Sequence, residues 1–391
     1  MKRVLVLNHF ASDPGSPGGT RHAEMFSRLQ GWSYLIAVGN HATVGDLPKV
    51  SKLGYLALPT VPFTGNGADR IANWVSYGVS ASAHLASGRR PDVVYASSPH
   101  LLAGLAGFVL ASRWRVPLIL EIRDLWPQVL IDMGQMEVTS PVYRTLQSVE
   151  TFLYAKADRI VVMAEGTRDY LVAKGVPAAT IEFIPNAADP EDFLVERPRA
   201  DLRERFGFTR FTGVYTGAHG PANGLDLLLD AAVDLTDEEV DIVLVGNGPS
   251  KPDLQERARD LGLNNVRFLD PIPKLDIPSL MAAADIGLHV LADVPLFRYG
   301  VSPNKVFDYL ASGLPMITNV PGEVGEFVTE SGGGIAVEPR GLSAGIRELA
   351  CAEPARLLAM GKSGQQYMYK NRSRTSMVNR LQNLLDELVD G

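Results

Sequence analysis

Short runs of unbroken apolar residues alternate with longer amphipathic stretches along nearly the whole chain. A strand reads as unbroken apolar sequence when helices cover both faces of its sheet, whereas a strand with one wet face would alternate. In the first half this pattern predicts strands at Val4–Leu7, Ser33–Val38, Gly54–Leu58, Val93–Ala96, Leu118–Ile122, Arg159–Met163 and Glu182–Ile184. Helices are predicted between them at Thr20–Leu29, Ala68–Ala86, Pro99–Arg113, Val142–Ala155 and Gly166–Ala173. The series is a doubly wound α/β pattern. A Pro-, Arg- and acid-rich stretch from Pro185 to Phe208 interrupts it, as a linker would. The pattern then restarts, with strands at Gly213–Thr216, Asp241–Val245, Val266–Leu269, Ile286–Val290, Met316–Thr318 and Gly334–Val337. Helices at Gly224–Leu235, Lys251–Leu261, Ile277–Ala284, Asn304–Ser312 and Gly322–Thr329 alternate with these strands. A helical tail from Pro354 to Leu388 has no strand left to follow it and is expected to pack back on the first domain. The expected division is a Rossmann-like domain over 1–190, a linker over 191–211, a second Rossmann-like domain over 212–365 and a returning helix over 366–391. Two such domains facing each other leave a cleft at the carboxyl ends of their strands, where open α/β sheets bind ligands.

Composition narrows the class. A chain of 391 residues, 46% hydrophobic and 21% charged, is long enough for two cores and is not a disordered protein. The net charge of −7 falls on the second half, which argues against a nucleic-acid partner. The first half is nearly balanced, and Arg89-Arg90 and Arg113-Trp114-Arg115 leave room there for an anionic surface or acceptor. The single cysteine, Cys351, cannot form an internal disulfide, fits a reducing compartment and is expected to be a small core residue. The first strand opens without a signal-peptide pattern, and the apolar run Leu101–Ala111 is shorter than the ~20 residues a spanning helix needs. A soluble cytoplasmic protein is the expectation.

Chemistry is expected in the loops that follow the strands. The first, Asn8 to Thr20, carries Gly18-Gly19 ahead of a helix; Gly19 admits close backbone approach, and the helix N-terminus offers open amides to an anion. The spacing matches neither a dinucleotide GxGxxG nor a Walker A loop, and a plain Gly/Pro-rich surface loop fits equally well. Glu121 to Pro127 closes an apolar strand with Arg123, which would hold a phosphate or acceptor anion, and with Asp124 or Glu121 for an acceptor hydroxyl beside Trp126. A structural ion-pair cluster is the competing reading. After the first strand of the second domain, Gly217 suits backbone contact with a phosphate or sugar, and His219 either points to the cleft or stands by exposed. Val245-Gly246-Asn247-Gly248-Pro249 is a lone GxG, a tight turn on which a nucleoside could rest at Gly246 and Asn247.

Gly300 to Pro315 is the most specific element. Ser302 suits an N-cap and Pro303 the first helical position, so a helix should start there with Asn304 in its first turn. A phosphate at that terminus would gain about 0.3–2 kcal/mol from the helix dipole, and Lys305 adds a full positive charge. A lysine in the first turn opposes the dipole unless an anion is present, so an anion site explains it better than an ordinary capped helix does. Asp308, about one turn on, is placed for ribose hydroxyls. The sequence clusters neither a DxD pair nor a His/Cys ligand set, so no metal and no other cofactor is expected.

Taken together, these residues resemble the retaining GT-B glycosyltransferases of family 4, in particular bacterial N-acetylfucosaminyl-transferase-like members that build O-antigen or capsule repeats. The similarity runs through Gly18-Gly19, Glu121 to Pro127, Val245 to Pro249, Ser302 to Pro315 and Pro321-Gly322-Glu323. It implies hexosyl or N-acetylhexosaminyl transfer with retention, from a nucleotide diphosphate sugar, chiefly a UDP-sugar, to a glycan or polyprenyl-diphosphate-linked acceptor. It also implies that Asp308 is the second acid of the family's E-x7-E signature, which holds the donor ribose. This chain has Gly300 where the first acid belongs, Asn223 near the place of a lysine many members carry, and Arg123 where many have a histidine. Lys305 and Arg123, with Asp124, are then expected to be the catalytic groups that meet the charge. A lipid-linked acceptor would bring the Leu101–Trp114 helix and its arginines to the inner face of the membrane. Two alternatives stay open: a sugar-nucleotide 2-epimerase on the same frame, and a non-catalytic nucleotide-sugar binder.

Overall fold

The computed structural model of the protein describes residues 1–11, 21–40, 54–63 and 67–390. They form two compact units, Met1–Pro185 with Met377–Gly391, and Asn186–Ser376. In the first unit seven strands, β1 (Lys2–Leu7), β2 (Trp32–Asn40), β3 (Tyr55–Pro59), β4 (Val93–Ser98), β5 (Leu118–Ile122), β6 (Arg159–Val162) and β7 (Ile181–Phe183), lie in the order β3-β2-β1-β4-β5-β6-β7. The second unit holds β8 (Phe211–Thr216), β9 (Val240–Val245), β10 (Val266–Leu269), β11 (Ile286–His289), β12 (Met316–Thr318) and β13 (Gly334–Ala336), ordered β10-β9-β8-β11-β12-β13. Neighbours pair in parallel in both sheets. Parallel pairing needs a crossover between strands, which helices supply in the described connections, that between β2 and β3 lying outside the described residues. The strand order reverses between β1 and β4 and between β8 and β11, the switch points at which such sheets bind ligands.

Every strand expected from the apolar runs is present, and the second sheet shows why they are unbroken. Ile242 and Leu244 of β9 pack with Leu228, Leu229 and Ile346 on one face. Val243 and Val245 pack with Leu280, Val306 and Leu310 on the other. Successive side chains point to opposite faces, so two helix layers demand an apolar residue at each position.

The helices differ more from expectation. The first shortens to Arg21–Phe26, and Gln128–Asp132, Arg199–Phe206 and Leu342–Ala350 were not expected. Arg199–Phe206 lies in the stretch read as a linker, yet its Leu202 is 1% exposed within the core of the second unit, with Phe193 and Phe208. The tail is two helices, Pro354–Asn371 and Arg374–Asp390, and from Met377 onward it belongs to the first unit. There Asp386 accepts from Lys2 at 2.8 Å and from the Trp32 indole at 3.0 Å. Cys351 corrects its expectation: it follows the Leu342–Ala350 helix and is exposed, because the buried face of that helix is Leu342, Gly345, Ile346 and Leu349. No helix among the described residues is long and apolar enough to cross a membrane. The Leu101–Trp114 helix turns Leu101, Ala103, Ala106, Leu110 and Ala111 into the core and leaves Val109 and Arg113 outside.

Candidate functional site

In the second unit the loops leaving β8 and β9 interlock. The Gly217 N–H donates to the Val245 carbonyl at 3.0 Å, that of His219 to the Asn247 carbonyl at 2.9 Å, and that of Ser250 to the His219 carbonyl at 2.9 Å. Asn247, exposed, folds its Oδ1 back onto the Gly248 N–H at 2.9 Å. Lys251 is buried and spends its Nζ on the carbonyls of Gly246 and Leu269 and on Asp270, at 2.9–3.1 Å. Gly246 has φ +150°, and a Cβ there would sit 1.8 Å from the Gly217 carbonyl oxygen. Gly246→Ala is therefore expected to destabilise the protein by about 3 kcal/mol, the upper end for overpacking because backbone has to give way. Urea unfolding checks it, and a loss below ~1 kcal/mol would show that the loops are looser than this.

Lys305 stands above those loops. Its helix spans the expected Asn304–Ser312, but Pro303 takes the cap position in place of Ser302, which makes no capping bond. The Ser302 hydroxyl instead accepts from the Asn186 N–H at 3.1 Å, and its carbonyl accepts from the Asn186 side-chain amide. Four residues after Lys305, the buried Tyr309 hydroxyl takes the Thr216 N–H at 3.0 Å and donates to the Val214 carbonyl at 3.2 Å. This bond fastens the helix to the end of β8, and Lys305 Nζ comes to lie 3.9 Å from the centre of the Tyr215 ring. No carboxylate pairs with Lys305 among the described residues, and burial lowers its pKa to about 7. His219 and His289, both fully buried, flank it. Burial lowers His219 to about 4, with Lys251 and Lys305 adding to the effect, and burial also depresses His289 well below its ordinary value, with Lys305 adding to it. Neither His219 ring nitrogen has a partner among the described residues, while His289 Nδ1 meets the Thr318 hydroxyl at 2.8 Å and its Nε2 meets none of them. The result is a cation-bearing, glycine-walled corner with no anion from the described residues in it. Gly217 and Asn304 are exposed at this corner. Asp308 is held back from it: it is 8% exposed and accepts from Lys274 at 2.7 Å.

In the first unit Glu121 ends β5 as a hub in place of an open acceptor-binding carboxylate. It is 0% exposed, with Oε1 accepting from His22 Nε2 (3.0 Å) and Ser97 (2.8 Å) and Oε2 from Arg21 Nε (3.2 Å) and Tyr95 (2.6 Å). Burial opposes its charge, but His22 and Arg21 outweigh that and hold the carboxyl well below its usual range. The Asn8 amide donates to His22 Nδ1 at 2.8 Å, which leaves the proton of the neutral ring on Nε2, facing Glu121; burial keeps that imidazole uncharged. Arg123 lies 3.9 Å from Glu121, half-buried, and Asp124 is exposed. Trp126 packs edge-on against Trp74 at 5.1 Å, and both indole N–H groups are buried without an acceptor among the described residues. Gly19 lies outside the described residues.

Sequence reading missed Tyr215, Tyr309, His289, Lys251 and Lys274 in one unit and Arg21, His22, Tyr95 and Ser97 in the other. Only Tyr309 left a signal, a hydroxyl four positions from Lys305 on the same helical face. Among the described residues no three His, Cys, Asp or Glu side chains stand together as metal ligands would.

Residues 35–187 match the glycosyl transferase 4-like domain, and residues 210–352 match the glycosyl transferases group 1 domain. The chain belongs to the glycosyltransferases. Among curated relatives, this glycosyltransferase is 26% identical over 254 residues to WbjE of Pseudomonas aeruginosa, named as a glycosyltransferase, covering 62% of either chain. The chain thus spans less than two thirds of the length of WbjE. WcaI of Escherichia coli (strain K12), named for colanic acid biosynthesis, is 25% identical over 303 residues, 74% of each. Among solved structures, that of Anabaena Alr3699/HepE in complex with UDP and glucose is 19% identical with a TM-score of 0.75, and the match covers 99% of this chain and 100% of that one. The fold expected from the sequence, two parallel-sheet Rossmann-like domains of the GT-B type, is the fold observed.

Proposed function

We propose that the protein is a retaining glycosyltransferase that moves a hexosyl or N-acetylhexosaminyl group from a UDP-sugar to a glycan or polyprenyl-diphosphate-linked acceptor in surface polysaccharide biosynthesis. The observation that carries this reading is Lys305, a cation at a helix N-terminus with no anionic partner among the described residues, beside the glycine turns at Gly217 and Gly246. The names of HepE's ligands and of WcaI's pathway agree with a UDP donor and a polysaccharide product. Cleaving the anomeric C–O bond builds negative charge on the departing diphosphate, and Lys305 with the open amides at Asn304 is placed to take it. The reading calls for no metal, because the ammonium supplies the charge a metal would. With retention, the departing phosphate can itself receive the acceptor's proton. Arg123 and Asp124 are assigned to the acceptor side, at the membrane's inner face when the acceptor is lipid-linked.

Thermal shift across UDP-, GDP- and dTDP-sugars tests the donor. UDP-sugars at 100 times their Kd are expected to stabilise by about 2.7 kcal/mol. Stabilisation by another base alone would overturn the UDP assignment, and rapid 2-epimerisation of donor without acceptor would overturn transfer.

A further inference from the structure

Residues 184–186 carry the chain from one compact unit to the other, and hydrogen bonds grip them on both sides. Within the first unit Arg21, 6% exposed, donates from Nη2 to the Ile184 carbonyl at 2.6 Å and from Nη1 to the Pro185 carbonyl at 2.8 Å. Its Nε is the same group that meets Glu121 at the end of β5. Within the second unit Asn186, 3% exposed, holds Ser302 twice, by its backbone N–H and by its side-chain amide. Ser302 immediately precedes the capped start of the Lys305 helix. Just before the second chain crossing, at Ser376–Met377, the Arg374 N–H donates to Asp189 at 2.6 Å and its guanidinium to Asp192, residues that follow this stretch within the second unit.

We propose that Asn186 and Arg21 are positioning residues for transfer: Asn186 fixes the anion-holding end of the Asn304–Ser312 helix to the joining segment, and Arg21 fixes that segment to Glu121. The inference rests on the reading of Lys305 as the donor-phosphate group. An anion drawn to Lys305 and the open amides orders the first turn of that helix. Ser302 passes the order on, because its hydroxyl and its carbonyl are both held by Asn186 and have little freedom to yield. Plain chain-pinning would stabilise residues 184–186 equally with or without ligand. Positioning makes their opening depend on ligand, and amide exchange measures that opening directly.

The test is hydrogen exchange on the full chain with and without saturating UDP, paired with steady-state kinetics. UDP is expected to slow exchange at residues 304–306 and, about tenfold, at 184–187. In Asn186→Ala the protection at 304–306 should persist and that at 184–187 disappear, with kcat down about tenfold and donor KM within about threefold. Arg21→Lys, which gives up the forked bonds but keeps the charge, should show the same split if Asn186→Ala folds poorly. UDP protection confined to 304–306 in the unsubstituted protein would overturn this inference and leave the donor reading standing. Absence of UDP protection at 304–306 would overturn both.

Discussion

Lys305→Ala is expected to lower kcat by about 10²–10³-fold, the usual cost of removing one preorganised group that meets developing negative charge, while cooperative unfolding persists. The side chain is poised for this role because no carboxylate among the described residues pairs with it: its Nζ lies over the Tyr215 ring, and burial has brought its pKa to about 7. Below that pH the free protein carries the ammonium. Between about 7 and the ordinary lysine value of ~10.4 the folded protein holds a neutral amine while the unfolded chain is still protonated, so stability rises with pH across that window. Diphosphate binding works in the opposite direction. It favours the ammonium, so above pH 7 binding takes up a proton, and UDP affinity should fall by up to about tenfold per pH unit. Calorimetric titration at pH 6 to 9, in buffers of different ionisation enthalpy, reads both the affinity and the proton. Lys305→Arg keeps a permanent charge and should flatten the profile. A flat profile in the unsubstituted protein, or full turnover in Lys305→Ala, would remove Lys305 from the mechanism.

Glu121→Ala should cost about 3–5 kcal/mol, the penalty for stripping a buried charge of its partner. Arg21 would keep its two carbonyl bonds but lose its counter-charge, and the hydroxyls of Tyr95 and Ser97 and the N–H of His22 would lose their acceptor. The native carboxyl titrates well below its ordinary value. Its stabilising contribution is therefore complete above the unfolded pKa of ~4.3 and is lost as pH falls through the lower native one. Glu121→Gln, which keeps the shape and one acceptor, should fall between. Arg21→Met in the Glu121→Ala background should recover part of the loss, since the orphaned cation is gone. Urea unfolding measures each variant, and strict additivity of the two substitutions would mean that the ion pair is not the source of the cost.

Asp308 and Ser302 show where reading from sequence reached its limit. Asp308 lies within, and Ser302 just ahead of, the helix that the N-terminal pattern locates to within a residue. The competitor for Ser302 is Asn186, 116 positions away, and the partner of Asp308 is Lys274, 34 positions away. A cap depends on three or four adjacent residues, so it can be expected locally, but a distant donor with a better claim on the hydroxyl leaves no trace in that window. Glu121 teaches the same lesson with the opposite sign. Its place at a strand end was legible, whereas its enclosure by four donors from β4 and the Arg21–Phe26 helix was not.

By itself the sequence determined the strands, the doubly wound class, the two-domain organisation and the position of the Lys305 helix. Each of these is written in periodicity or in adjacent residues, and unbroken apolar runs have few other ways to be satisfied. Only the tertiary structure decided what surrounds Lys305. The order β10-β9-β8-β11-β12-β13 sets the end of β8 beside that of β11, which gathers Tyr215, His219 and His289 around one amine with no carboxylate of the described residues paired to it. Strand order and burial belong to the assembled sheet, and a lysine's charge state follows from them rather than from its neighbours in the chain.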